Sequence, residues 1–280
     1  MKTSIVIRTK NEAEHIKKCL DAVFSQNFQA GNFEVLIVDS GSSDDTVGIT
    51  RNYKVKIAEI GAKKFSYGAA LNIGAKLARG EYVVYLSAHA VPKSDKWLSS
   101  LISDFSDPNV AGVYGRQVPL SNCNPFEARG ILSSYGLTKK VQTKDSFFSN
   151  ANAAIRRSVW VKFPFNQALP ISEDRDWAGR VQASGYKIVY EPKAVVYHSH
   201  NYSLGQVFRR SYKRGCANKR IGTRHKLSVI SAFARFWVIL AEDFSFIFKN
   251  RSKIRGSLKW LIIAPVYRLA EYLGLYLGAL

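Results

Sequence analysis

The chain has 280 residues, 46% of them hydrophobic, and a formal net charge of +20. This is ample material for one large domain and an appendage. Its three cysteines, Cys19, Cys123 and Cys216, lie far apart without metal-ligand spacing, which excludes a cysteine-built metal centre and predicts reduced thiols in a cytosolic setting.

No signal-peptide pattern opens the chain: Met1-Lys2-Thr3 runs straight into a first strand at residues 4–7. A polar turn, Arg8-Thr9-Lys10-Asn11-Glu12, follows, and residues 16–24 carry apolar side chains at helical spacing. The second unit begins with a compact apolar run, residues 35–38, that reads as a buried parallel strand. It ends at Asp39 and breaks at once into Ser40-Gly41-Ser42-Ser43-Asp44. An acid therefore stands at the carboxyl end of a strand, where open α/β sheets bind ligands. Ser42, Ser43 and Asp44 equally suit a helix N-cap.

The two units, SIVIRTKNEAEHIKKCLDAVFSQ and FEVLIVDSGSSDDT, resemble the start of an inverting family 2 glycosyltransferase of the GT-A fold. The resemblance implies an α/β fold, a mixed and mostly parallel sheet flanked by helices. Residues 1–220 would be the catalytic domain and residues 221–280 a basic, amphipathic helical region. It also implies that Thr9 and Asp39 hold the nucleobase of a nucleotide-sugar donor. The chemistry agrees, because a carboxylate can accept the imide N–H of uracil or thymine.

After a short strand at residues 55–60, the string FSYGAALNIGAKLARGEYVVYLSAHAVP is similar to the rhamnosyltransferase-type members of that family. Gly68 and Asn72, on a helix over residues 65–78, would line the diphosphate side of the nucleotide. The next strand, residues 81–86, leads into Ser87-Ala88-His89, where most relatives carry Asp-x-Asp and hold Mg²⁺ or Mn²⁺. Ser87 takes the first Asp position and His89 the second. Imidazole ligates Mn²⁺ acceptably and suits Mg²⁺ poorly. Three roles stay open for His89: metal ligand, direct contact to the diphosphate, or structural residue at a strand end.

Residues 92–104 read as a helix started by Ser94 or Asp95, with Trp97, Leu98 and Leu101 on one face. Residues 110–119 read as a strand on which Arg116 and Gln117 are either sugar or acceptor contacts or solvated edge residues. Residues 122–144 are polar with little periodicity and read as an acceptor-facing insertion with one short helix.

The third block of resemblance is Leu169-Pro-Ile-Ser172-Glu173-Asp174-Arg-Asp176-Trp177. The family has Glu-Asp at a helix start here, and its Asp deprotonates the acceptor hydroxyl during in-line displacement. Asp174 takes that position, Glu173 would support the loop or bind acceptor, and Asp176 would be a surface charge. The plainer alternative is that Ser172, Glu173 and Asp174 only cap the helix. Two strands are then expected, residues 186–190 and 191–200, the second ending at His198 and His200. These share a face of an extended chain; the resemblance implies that either would complete a metal site with His89, and the alternative is that they position the loop that starts at Asn201. On the following helix Arg210 and Arg214 lie one turn apart, suited to a diphosphate leaving group.

The net charge is +3 over residues 1–120, +5 over residues 121–200 and +12 over residues 201–280. Residues 230–241 and 260–267 are aromatic and aliphatic, flanked by Arg235, Lys249, Arg251, Lys253, Arg255, Lys259 and Arg268. No apolar run reaches the ~20 residues that span a bilayer. The expectation is helices lying on an anionic membrane surface, or packing on the catalytic domain or on a second subunit in a homo-oligomer. Nucleic acid is not an expected partner, because the charge sits beside apolar helices rather than aromatic stacking platforms.

The full expectation is an inverting transferase moving a hexose or deoxyhexose, rhamnose among them, from a dTDP- or UDP-sugar. The acceptor would be a glycan or lipid-linked precursor in cell-surface polysaccharide synthesis, with the protein peripheral at the cytoplasmic face. The alternative is a nucleotide-sugar-binding protein without catalysis, since Ser-Ala-His replaces Asp-x-Asp.

Overall fold

The computed structural model describes residues 2–29, 32–61, 64–222, 229–254 and 256–280, with the side chains of residues 229–234 outside the description. Arg255 and the side chains of residues 230–234, parts of the expected membrane-facing tail, thus lie outside it. The first half runs β1 (Thr3–Thr9), α1 (Ile16–Phe24), β2 (Phe33–Asp39), α2 (Thr46–Thr50), β3 (Val55–Glu59), α3 (Tyr67–Leu77), β4 (Tyr82–Ser87), β5 (Val91–Pro92), α4 (Trp97–Ile102) and β6 (Val110–Val118). The second half runs α5 (Pro125–Ser134), β7 (Lys140–Gln142), β8 (Asn152–Arg156), α6 (Arg157–Lys162), α7 (Glu173–Ala183), β9 (Lys187–Tyr197), α8 (Leu204–Ile221), α9 (Val229–Lys249) and α10 (Ser257–Ala279).

The strands form one sheet in the order β3-β2-β1-β4-β8-β6-β9-β5, with β7 added on β9. The first four are mutually parallel, and β8 runs antiparallel to both of its neighbours. This is the α/β, mixed and mostly parallel sheet expected of the GT-A fold. The continuous apolar runs of β1, β2 and β4 follow from that layering, since strands covered on both faces bury every position. Ile5, Ile7, Val35, Ile37, Val84 and Leu86 pack there with Ile16 and Leu20 of α1 and with Trp97 and Leu101 of α4.

The chain divides into two compact units. The first comprises Met1–Val118, Tyr135–Leu169 and Glu173–His198, and holds the whole sheet. The second comprises Pro119–Ser134, Pro170–Ser172 and Ser199–Leu280. Its core is Phe126, Val207, Leu240, Ile247, Ala264 and Tyr267. Buried within it, Asp243 accepts bonds from Arg268 Nε at 2.7 Å and from Arg129 Nε at 2.7 Å.

Three local expectations change. The helix expected from Pro92 begins only at Trp97, because Val91 and Pro92 pair with β9 and residues 103–106 tighten into a 3₁₀ turn. The two strands expected over residues 186–200 are one, β9, which absorbs Pro192 by a register shift against β6 between Gly115 and Arg116. The polar insertion carries its expected short helix, α5, which buries Phe126 and Ile131, and adds a strand that was not expected, β7, paired with β9.

Candidate active site

Because β1 has β2 on one side and β4 on the other, the loops leaving their carboxyl ends part and open a crevice there. Arg8, Thr9, Asp39 and Ser87 stand at that edge, with Thr9 in register with Asp39 and Arg8 with Ser87.

Asp39 is 3% exposed and its carboxylate accepts four bonds. Oδ2 takes the N–H groups of Gly41 at 2.9 Å and Ser42 at 2.8 Å, which hold the tight turn in which Gly41 has φ +80°. Oδ1 takes the hydroxyls of Thr9 at 3.1 Å and Ser42 at 2.6 Å. A nucleobase N–H arriving at Oδ1 has only to displace a hydroxyl, and a hydroxyl can turn to another acceptor. Ser42 does not cap α2; its hydroxyl accepts instead from the Asn11 N–H at 2.9 Å.

Asn72 is engaged inside the protein. Its Oδ1 accepts from Trp160 Nε1 at 2.9 Å and from the Phe165 N–H at 3.0 Å, and its Nδ2 donates to the Phe165 carbonyl at 2.9 Å. Gly68 packs against the same segment, for an added Cβ would lie 2.6 Å from the Asn166 carbonyl oxygen. These contacts tie α3 to residues 160–167. Asn72 also lines a cavity of about 540 Å³ with Glu59, Lys64, Lys76, Trp160 and Gln167.

The loop after β4 carries His89, and the end of β9 carries His198. Glu12 accepts from His89 Nδ1 at 2.8 Å, and Gln117 Oε1 accepts from His198 Nδ1 at 2.8 Å. Gln117 is itself held by Nε2, which lies 2.7 Å from the Tyr135 hydroxyl and 3.0 Å from that of Ser149. With both Nδ1 atoms donating, the two Nε2 atoms lie 3.1 Å apart, within hydrogen-bond distance of one another. A shared proton or a metal cation satisfies such a pair. Two imidazole nitrogens suit Mn²⁺ better than Mg²⁺, which prefers oxygen. Gln117 is 5% exposed and spent on this orientation, so it is a buried positioning group rather than an edge residue. Neither Glu12 nor Gln117 stands out as a metal partner in the sequence, because the contacts cross 77 and 81 residues of chain.

The third group is Glu173 and Asp174 in the first turn of α7. The residue before them, Ser172, has φ +68°, a conformation that costs a non-glycine residue on the order of 1 kcal/mol. Burial, then the Asp174 charge, pushes the Glu173 carboxyl up to about 7, against the Arg8 guanidinium. Burial also raises Asp174, opposed by the N–H groups of Arg175 and Asn150 and by Arg8. Glu173 is buried while Asp174 stays partly open to solvent, so Asp174 is the better placed to meet an incoming hydroxyl. Arg8, the cation that faces both, was not singled out in the sequence; its signal is its place beside Thr9 at the end of β1. Asp176 pairs with Arg180 at 2.9 Å along α7, its side chain 13% exposed. Arg116 keeps a buried Nε, and Asn150 a buried side-chain amide, with no hydrogen-bond partner among the described residues.

The remaining residues singled out belong to the second unit. Arg214 pairs with Glu271 at 3.0 Å, and Arg210 donates to the Tyr202 hydroxyl at 3.1 Å while lying over its ring. His200 stacks on Tyr202, ring centroids 4.6 Å apart. Arg214 is therefore neutralised within its own unit.

Residues 4–162 match the family model described as glycosyl transferase family 2. The chain is 32% identical over 227 residues to the O-antigen chain rhamnosyltransferase RfbN of Salmonella typhimurium, covering 77% of this chain and 72% of that protein. It is 34% identical over 193 residues to the O-antigen chain rhamnosyltransferase WbaN of Salmonella anatum, covering 65% and 61%. Among solved structures, the mannosyltransferase PcManGT of Pyrobaculum calidifontis, in complex with GDP-Man and Mn²⁺, superposes with a TM-score of 0.64 at 16% identity, covering 98% of this chain and 87% of that one.

Proposed function

The chain belongs to glycosyl transferase family 2 and is a glycosyltransferase, and from that premise we propose an inverting transfer in which Asp174 is the general base. The observation that carries the proposal is the pair of acidic side chains in the first turn of α7, whose carboxyls feel the charge of Arg8 at the end of β1. An ionised Asp174 accepts the proton of the acceptor hydroxyl as its oxygen attacks the anomeric carbon from the side opposite the diphosphate. The carbon–oxygen bond to the diphosphate breaks as the new one forms. Glu173 holds a proton or a charge beside Asp174 and so sets the pH at which that base is ready.

The donor is a dTDP- or UDP-linked hexose or deoxyhexose, its base held by Thr9 and Asp39 and its diphosphate lying near Ser87. Rhamnose is the favoured sugar, supported by the names of the relatives at 32% and 34% identity. The acceptor is a glycan or lipid-linked glycan of a surface polysaccharide, and the reaction is placed at the cytoplasmic face. His89 and His198 would hold a divalent ion, with Glu12 and Gln117 orienting them. Such an ion, when bound, neutralises charge on the departing diphosphate. Incubation with a panel of dTDP- and UDP-sugars tests the reading, with the anomeric configuration of the product determined by NMR. Inversion of one of these donors is expected; retention of configuration would overturn it.

A further inference from the structure

The second unit presents an apolar surface that its own core does not use. On α10 the exposed positions include Leu258, Ile262, Val266, Leu269, Leu273 and Tyr276, spaced by four, four, three, four and three residues, and Leu258 and Ile262 are 70% and 71% exposed. Such spacing is one face of a helix. The helix is 23 residues long, and the face from Leu258 to Tyr276 runs about 27 Å of it at the helical rise. Lys259 is the single charged residue among the exposed positions of this helix. The opposite face is committed to packing: Gly274 and Gly278 meet the backbone of α8, and Tyr267 and Ala264 enter the core.

Charge is arranged at one end of that face. Lys249, Arg251, Lys253 and Lys259, all exposed, surround the turn from α9 into α10, and no Asp or Glu occurs from residue 244 to residue 270. Two of these cations lie over aromatic rings, Arg251 over Phe248 at 4.5 Å and Lys259 over Trp260 at 5.6 Å. No described helix is long and apolar enough to cross a membrane. A long apolar face that cannot span, bordered by cations for which no ion pair occurs among the described residues, is complementary to an anionic lipid surface, where acyl chains meet the apolar stripe and headgroups the cations. A second copy of the chain fits less well, because it would bring a like-charged turn to the same face.

We propose that α10 lies in the plane of an anionic bilayer through its Leu258–Tyr276 face, anchored at the α9–α10 turn by Lys249, Arg251, Lys253 and Lys259. This stands apart from the transferase reading, since it uses no residue of the candidate active site. The test is co-sedimentation of the full chain with vesicles of phosphatidylcholine alone or of phosphatidylcholine mixed with phosphatidylglycerol. Binding to the anionic vesicles is expected, about tenfold or more above the neutral ones and reduced by salt. Ile262→Glu with Leu269→Glu should abolish it, and Arg251→Glu with Lys253→Glu should remove the preference for anionic lipid. Both pairs change exposed side chains, and unchanged thermal unfolding confirms the fold. Absent binding, or equal binding to both vesicle types, overturns the proposal. So does a concentration-dependent dimer that the Ile262→Glu, Leu269→Glu variant dissociates, which would assign the face to a second copy.

Discussion

His89 Nε2 lies 3.1 Å from His198 Nε2 across 109 residues of chain. Their Nδ1 atoms bond Glu12 and Gln117, and the divalent-ion site proposed above would be built on the two Nε2 atoms. Mn²⁺ titrated into the nucleotide-free protein should bind more tightly than Mg²⁺. His89→Ala and His198→Ala should each weaken Mn²⁺ about tenfold or more. Gln117→Leu, which removes the acceptor for His198 Nδ1 without touching the ion, should cost about 10- to 100-fold in affinity. Calorimetry or Mn²⁺ spin resonance reads this; undiminished binding in all three variants would contradict the site.

The nucleobase assignment predicts that Asp39→Ala weakens uridine or thymidine diphosphate by about 1–3 kcal/mol, the scale of a lost charged hydrogen bond. Thr9→Val removes only one hydroxyl from Oδ1, so it should perturb the turn less. An unchanged affinity in a folded Asp39→Ala protein would move the base elsewhere.

Much of this was legible in the sequence because it is local. The strand ends at Thr9, Asp39 and Ser87, and the Glu173-Asp174 start of α7, follow from apolar runs breaking into polar turns. What stayed hidden depends on chain brought together from afar. Gln117 looks like a solvated strand edge until His198, Tyr135 and Ser149 are placed around it. The partners of the Asn72 amide, Trp160 and Phe165, lie about 90 residues away in the chain. The partner of Arg214, Glu271, lies 57 residues on.

Close approach of α8 and α10 gives a stability prediction. A Cβ on Gly278 would lie 2.0 Å from the Tyr212 carbonyl oxygen and one on Gly274 2.5 Å from that of Phe208, both backbone atoms that cannot turn aside. Gly278→Ala should therefore cost about 1–3 kcal/mol. Gly130→Ala, on an exposed position of α5 with nothing within 4 Å, should stabilise by up to about 1 kcal/mol. Denaturant unfolding of the two variants should move in opposite directions.

The carboxyl pair gives a pH prediction. Glu173 is raised to about 7 by burial and then by the neighbouring Asp174 charge, and Asp174 is raised by burial. A general base works ionised, so the transfer rate should rise with pH through that region. Glu173→Gln removes one of two adjoining negative charges, so Asp174 should ionise more easily and the acid limb should move to lower pH. A limb that stays in place would show that the two groups do not share their protons.

The central claim is that Asp174 takes the acceptor's proton, and one substitution tests it most directly. Asp174→Asn keeps the shape and the bond that Oδ1 accepts from the Arg175 N–H at 2.8 Å, but an amide cannot act as the base. Transfer from the accepted donor should fall by roughly 10²- to 10⁴-fold with donor affinity nearly unchanged. A helix-capping Asp174 would behave otherwise, because Asn caps about as well as Asp. A near-wild-type rate in the folded Asp174→Asn protein would contradict the account.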